Sequence, residues 1–359
     1  MRIALVIGTR PQIIKSAPII HSAQNFPELN LLIVHTGQHY DYAMSQEFFN
    51  ELALPDPTVN LGVGSGGHGW QTGQMLIGLE RVYNELEPDV VLVPGDTNST
   101  LAGALAAAKM HIPVAHVESG ARSFDRRMPE EVNRVVVDHL SDLLFATSRN
   151  CVGNLIREGI SEDRIRLVGD TMYESIQLHI IDIEVEAAAK CFGLERGSYG
   201  VMTLHRAENI DDKVRLTSII GAVGDLGFPI IFPCHPRTRK KLESLKILRG
   251  FSECVRVVEP LPYYRMLSLV KTARVVLTDS GGLQKEAYWL GVPCVTLRDS
   301  TEWVETVEVG ANVLVGLDTC KIAEVVNDLT SYPRVTTKGE LSFLDASRKI
   351  IEGLIHYNS

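Results

Sequence analysis

Val90-Val91-Leu92-Val93-Pro94-Gly95-Asp96-Thr97-Asn98-Ser99 sets an unbroken apolar run against a glycine, an acid and a row of small polar residues. An apolar run without alternation reads as a parallel strand buried on both faces. The residues that follow, through Lys109, have the length and alanine-rich composition of a crossover helix. The same strand, glycine turn and helix return at Val275-Val276-Leu277-Thr278-Asp279-Ser280-Gly281-Gly282-Leu283. Working outward, strand-like runs fall at 3–7, 31–36, 90–94, 114–117, 143–146 and 165–168. A second set falls at 200–204, 229–233, 255–258, 275–278, 293–297 and 313–315. Two sets of six predict two doubly wound, Rossmann-like α/β domains, with a cleft between them and ligand at the carboxyl ends of the strands. The boundary is expected at Gly169-Asp170, giving domains over 1–170 and 171–342. Apolar residues at 343, 344, 350, 351, 354 and 355 have helical spacing, and that terminal helix (343–359) is expected to return to the first domain.

The chain has 359 residues, enough for two ordinary cores, and a net charge of -9. That balance argues against nucleic-acid binding, which needs a basic surface. An acidic protein that binds an anion must gather its cations locally. The six cysteines show no C-x-x-C pair; Cys234, Cys254 and Cys294 fall in apolar runs and read as reduced core thiols. The eleven histidines are scattered, so no metal site is expected. No apolar stretch is long enough to span a bilayer. Met1-Arg2-Ile3-Ala4-Leu5 runs straight into the first strand, so a cytoplasmic protein without a signal peptide is expected.

The cations gather at strand tips. Gly8-Thr9-Arg10-Pro11-Gln12-Ile13-Ile14-Lys15 is a glycine turn running into a helix start, with Arg10 and Lys15 beside backbone N–H groups. It is neither G-x-G-x-x-G nor a P-loop, which disfavours a dinucleotide or ATP. Ser280, Gly281 and Gly282 repeat the geometry, and Glu286, one helical turn in, is placed to accept ribose hydroxyls. Three places offer carboxylates. Asp96 follows a buried strand and competes with a role as helix N-cap. Glu118, in His116-Val117-Glu118-Ser119-Gly120-Ala121-Arg122, ends an apolar strand and competes with a structural ion pair to Arg122. Glu130 and Glu131 open a helix, where one of the two is expected to serve only the dipole. His205 with Arg206, and His235 in Pro233-Cys234-His235-Pro236, bring further positive charge to strand tips.

Together these segments resemble the non-hydrolysing UDP-N-acetylglucosamine 2-epimerases. The matching pieces are Gly8-Thr9-Arg10-Pro11 with Lys15, Gly95-Asp96-Thr97, His116 to Gly120, Pro129-Glu130-Glu131 with Asn133-Arg134, His205-Arg206 with Glu208-Asn209, and Asp279-Ser280-Gly281-Gly282 through Glu286. The resemblance implies the two-domain GT-B-like fold also seen in many glycosyltransferases, a homodimer, no cofactor and a place in cell-surface polysaccharide biosynthesis. It further implies interconversion of UDP-GlcNAc and UDP-ManNAc by elimination of UDP, a 2-acetamidoglucal intermediate and re-addition. On that pattern Asp96, Glu118, Glu130 and His205 are catalytic, while Arg10, Lys15, Arg134, His235, Ser280, Gly281, Gly282 and Glu286 bind substrate. Which carboxylate serves which face of the sugar stays open. Bacterial members read R-D-T-T-E-R-P-E where this chain has Arg298-Asp299-Ser300-Thr301-Glu302-Trp303-Val304-Glu305. Trp303 replaces an Arg, Gln74 stands where an Arg is expected, and the stretch His35 to Asp41 also departs, in a region that forms a second, activating UDP-sugar site in some bacterial members. These changes look more like the branch acting on UDP-2,3-diacetamido-2,3-dideoxyglucuronate, the alternative substrate, whose carboxylate Arg126 and Arg127 are candidates to meet. Readings of another class are a glycosyltransferase of the same fold, a hydrolysing epimerase and a UDP-sugar sensor.

Overall fold

The structure, a computed structural model, describes residues 1–38, 48–180, 187–245, 254–316, 318–331 and 345–357. The departing residues His39, Tyr40 and Asp41 lie outside them, as do positions 343 and 344 of the expected terminal helix. The chain divides into two compact units, Met1–Leu178 with Gly339–Ser359, and His179–Lys338. The division falls after Leu178, where the sequence placed it at Gly169-Asp170.

In the first unit, β1 (Arg2–Ile7), β2 (Asn30–His35), β3 (Val59–Asn60), β4 (Val90–Pro94), β5 (Val114–Ser119), β6 (Leu143–Ala146) and β7 (Ile165–Leu167) form one parallel sheet in the order β3-β2-β1-β4-β5-β6-β7. The chain leaves β1 toward β2 on one side and returns to β4 on the other, so Ile3 pairs with both Leu31 and Val90. This reversal is the switch point beside which open α/β sheets hold ligands. The sequence missed β3 because two residues at a sheet edge carry no periodicity.

The second unit repeats the winding with β8 (Gly200–Thr203), β9 (Ile230–Pro233), β10 (Val255–Val258), β11 (Val275–Thr278), β12 (Cys294–Thr296) and β13 (Asn312–Leu314), ordered β10-β9-β8-β11-β12-β13. Its switch point lies between β8 and β11, where Gly200 pairs with both Ile230 and Val275.

Strands without polar alternation require helices on both faces. Ile3, Leu5, Val6 and Ile7 have no exposed surface, and each such side chain contributes about 1.5–3 kcal/mol of burial. Met75, Leu79, Val82 and Tyr83 of the helix His68–Leu86 join Ala102, Ala106 and Ala107 of the helix Asn98–Lys109 over Val6, Val91 and Val93. In the second unit Leu216, Ile219, Ile220 and Val223 of the helix Lys213–Gly224 cover Met202, Phe232 and Leu277. The terminal helix Ala346–Tyr357 packs on the helix Arg10–Ala23 of the first unit. Its start is tied down by Ser347, whose amide and hydroxyl donate to Glu174 at 2.8 and 2.6 Å.

All six cysteines are free. Cys234 and Cys294 are buried, and burial pushes their thiols up to about 11 and about 12. Cys254 is only half-buried and Cys191 and Cys320 are exposed, so the core reading of Cys254 is corrected: it precedes β10 rather than lying in it. No helix among the described residues is long and apolar enough to cross a membrane.

Candidate active site

In the first unit the tips of β1, β4 and β5 converge. Gln12, buried in the first turn of the helix Arg10–Ala23, fastens two of them. Its amide oxygen accepts from Gly8 N at 2.9 Å and Thr9 Oγ1 at 3.3 Å, and its nitrogen donates to Pro94 O at 2.9 Å and Thr100 Oγ1 at 3.0 Å. A Cβ on Gly8 would stand 2.0 Å from Thr36 Oγ1 and 2.2 Å from Ser99 Oγ, so only glycine fits this crossing. Lys15, one turn further along the helix, forms an ion pair with Glu118. Arg10 lies over the Phe48 ring, 5.0 Å from its centroid.

Glu118 sits at a β-bulge, where the register of β5 against β6 shifts between Val117 and Ser119. Its φ of 71° is left-handed, strained for a residue with a Cβ. Bulges re-aim a side chain away from the regular pleat, and this one turns the carboxylate to Lys15. Arg122 does not pair with Glu118; it binds Asp138 at 2.7 Å and Glu158 through two bonds of 2.8 and 2.7 Å. The competing pair with Arg122 is therefore removed, and the partner of Glu118 is Lys15.

Asp96 is not a helix cap either. Thr97 is, in a capping box with Thr100, which leaves the Asp96 carboxylate to accept from Arg134 Nη1 at 2.5 Å. Desolvation raises the pKa of Asp96; Arg134 and Lys15 pull it down, and Glu118 and Glu130 push it up. The three carboxylates thus share one electrostatic field with two cations.

The helix Pro129–Leu140 supplies the rest. Asn133 donates to Asp96 O at 2.9 Å. Glu131 accepts from the Ser123 and Phe124 amides, each at 2.9 Å, and from Arg134 at 2.6 Å. Burial opposes its ionisation, but these donors win and hold its pKa below the usual carboxylate range. Glu131 therefore orients Arg134, a role beyond the dipole. The loop residue Arg127 is 86% exposed and bound to Asp125 at 2.8 Å, and Arg126 is exposed.

In the second unit the organiser is Asp279, at the tip of β11 with no exposed surface. It accepts from the amides of His205 at 3.1 Å and Arg206 at 3.0 Å and from Asn209 Nδ2 at 2.9 Å. Burial pushes its pKa up, yet His205, Asn209 and the Arg206 amide hold it below the usual value. His205 turns Nδ1 to Asp279 at 2.9 Å, and its side chain is 43% exposed. That arrangement leaves Nε2 for a ligand. Ser280 caps the helix Gly281–Trp289 by accepting from Leu283 N at 3.4 Å. A Cβ on Gly281 would lie 2.0 Å from Glu302 Oε1 and 3.3 Å from Trp303 Nε1, whereas one on Gly282 would meet only Ser280 Oγ at 3.9 Å. The first glycine is thus sterically required and the second is not. Glu286 is buried one turn into that helix. Trp303 covers Lys285, whose Nζ lies 3.6 Å from the ring centroid. His235 Nδ1 accepts from Arg237 N at 3.2 Å and caps the helix Pro236–Ser244. Burial, His205 and Arg237 all lower its pKa.

The structure therefore brings Asp96, Glu118, Glu130, Lys15 and Arg134 together in one unit, and gathers His205, Ser280, Gly281 and Glu286 around the β8 and β11 tips of the other. Sequence reasoning missed Gln12, Asp138 and the organising role of Asp279. Glu130, Arg134 and Asp138 recur at intervals of four on one helix, a charged stripe facing an apolar strand that was open to reading.

Carboxylates clustered at one switch point, and a histidine beside a helix start at the other, are the arrangement of an α/β enzyme whose ligands sit at the strand tips. The comparisons are specific. The family described as UDP-N-acetylglucosamine 2-epimerase matches residues 21–354. A UDP-N-acetylglucosamine 2-epimerase homolog of Methanococcus maripaludis is 48% identical over 332 residues, covering 91% of this chain and 92% of that one. A UDP-2,3-diacetamido-2,3-dideoxy-D-glucuronate 2-epimerase of Pseudomonas aeruginosa is 47% identical over 322 residues, 88% of each chain. The crystal structure of Methanocaldococcus jannaschii UDP-GlcNAc 2-epimerase in complex with UDP-GlcNAc and UDP matches with a TM-score of 0.93 and 44% identity, over 99% of this chain and 100% of that one. The chain belongs to the UDP-N-acetylglucosamine 2-epimerase family, isomerases of two parallel-sheet, GT-B-like α/β domains.

Proposed function

We propose that this protein interconverts UDP-N-acetylglucosamine and UDP-N-acetylmannosamine without a metal or redox cofactor. Carbon 2 of the sugar has no neighbouring carbonyl, so its proton is not acidic by itself. Departure of UDP from carbon 1 as that proton leaves solves the problem and gives a 2-acetamidoglucal. Protonation from the opposite face and return of UDP complete the inversion. This chemistry needs carboxylates near both faces of the sugar and cations on the leaving diphosphate. The observation that carries the proposal is the shared field of Asp96, Glu118 and Glu130 with Lys15 and Arg134. Asp96, Glu118 and Glu130 are the acid/base set. His205, Arg10, Lys15 and Arg134 stabilise UDP as it separates. Ser280, Gly281 and Gly282 hold phosphate, Glu286 holds the ribose hydroxyls and His235 lines the nucleotide site. In this proposal the first domain, joined by the terminal helix, carries the proton chemistry and the second holds UDP. The enzyme works as a cytoplasmic homodimer that supplies activated sugar for surface polysaccharide.

The test is incubation with UDP-N-acetylglucosamine in heavy water, followed by NMR. Deuterium at carbon 2 of both epimers supports the proposal. Free N-acetylmannosamine with UDP would indicate a hydrolysing enzyme, and the absence of any exchange would reject the substrate.

A further inference from the structure

His116 lies inside β5 with no exposed surface, in register with Val93 of β4 and Leu144 of β6. Nothing in the proton chemistry above uses it. Its two ring nitrogens face two acceptors. Nδ1 is 2.6 Å from Asp138 Oδ1, and Nε2 is 2.7 Å from the carbonyl oxygen of Gly95. A carbonyl oxygen only accepts, so Nε2 carries a hydrogen. Asp138 accepts from the Arg122 guanidinium at 2.7 Å and the Gly120 amide at 3.1 Å, as a carboxylate does, so Nδ1 donates to its other oxygen and carries a hydrogen as well. A ring that donates from both nitrogens is an imidazolium.

The buried cation is balanced. Asp138 Oδ2 takes the guanidinium of Arg122 at 2.7 Å, and Arg122 is closed on its other side by Glu158. Two cations and two carboxylates make a neutral cluster, the arrangement in which burying charge is tolerable. The cluster reaches both catalytic tips. His116 holds the Gly95 carbonyl, one residue before Asp96, and Asp138 holds the Gly120 amide at 3.1 Å, two residues after Glu118. Glu118 has a φ of 71°, a conformation that a residue with a Cβ does not prefer unaided, so its tip needs holding from outside.

We propose that His116 is a positioning residue, a buried imidazolium that clamps the Asp96 tip of β4 to the Glu118 tip of β5 through Asp138. It rests on the acid/base roles proposed above for those two carboxylates. It contacts no substrate and moves no proton. Its effect is to hold two carboxylates in one geometry, where a displacement of about 1 Å costs on the order of a hundredfold in rate.

Two measurements test it. Ring-nitrogen NMR of the histidine-labelled wild-type enzyme, at the pH of turnover, is expected to show one histidine with both nitrogens protonated and slow to exchange, absent from the His116→Gln spectrum. A bare nitrogen at His116 overturns the clamp, and this readout holds whether or not the protein epimerises anything. In His116→Gln, kcat is expected to fall about a hundredfold, with KM and UDP affinity unchanged within about twofold. Wild-type kcat, or UDP affinity lost in step with kcat, overturns the positioning role. If that variant fails to fold, Asp138→Asn identifies the ring signal by its shift, and the NMR result decides alone. Failure of wild-type protein to epimerise any UDP-sugar would reject the proposed function while leaving the ring signature to be read.

Discussion

Replacing Asp279 with asparagine keeps the shape of the side chain and removes its charge. Asp279 is fully buried, and its oxygens receive the His205 and Arg206 amides, Asn209 Nδ2 and His205 Nδ1. An amide retains one acceptor oxygen and turns an NH2 group toward donors. At least one bond to a charged acceptor, worth about 1.5–3 kcal/mol, is lost and a donor is left facing a donor. The expected destabilisation of the second unit is about 3 kcal/mol, between that figure and the 3–5 kcal/mol typical of breaking a buried pair. Urea unfolding followed by fluorescence reports on it, because Trp289 and Trp303 both belong to this unit. The sign of the pH dependence follows from the depressed pKa of Asp279. A carboxylate whose folded pKa lies below its unfolded value of about 3.9 contributes stability above that value and loses it as the pH falls through the folded one. The gap between wild type and Asp279→Asn is therefore full at neutral pH and closes in acid below about pH 4. Equal stability at neutral pH, or a gap that widens in acid, would refute the assignment of Asp279 as the ionised organiser of the β8 and β11 tips.

Two further outcomes are expected. Asp96→Asn lowers kcat by about two to four orders of magnitude and leaves UDP affinity, measured by calorimetric titration, near wild type; unchanged turnover would remove Asp96 from the acid/base set. Glu286→Ala weakens UDP binding about tenfold or more, the effect of losing a charged acceptor for hydroxyls, and titration with wild-type affinity would contradict the ribose assignment.

The strands were legible because buried parallel strands leave unbroken apolar runs: 90–94, 143–146, 255–258 and 275–278 coincide with the observed elements. Val59–Asn60 was not, since an edge strand of two half-polar residues has nothing to repeat. The glycine turns pointed to both switch points because close approach permits no Cβ at Gly8 or Gly281. What the sequence hid was partnership. Glu118 and Arg122 looked like a pair four residues apart, but the bulge at Glu118 sends its carboxylate to Lys15 and leaves Arg122 to Asp138. Thr97, not Asp96, takes the cap because its hydroxyl reaches the Thr100 amide. Such choices depend on dihedral angles that no spacing rule encodes.

The most direct test of carbon–oxygen cleavage follows an isotope. UDP-N-acetylglucosamine labelled with heavy oxygen in the bridge between carbon 1 and the β-phosphorus is incubated with enzyme in heavy water, and phosphorus NMR reads the label's position in recovered substrate. Elimination frees UDP in the site, so its terminal phosphate rotates and the label scrambles into non-bridging positions while carbon 2 gains deuterium. Inversion with the label still wholly in the bridge would contradict elimination.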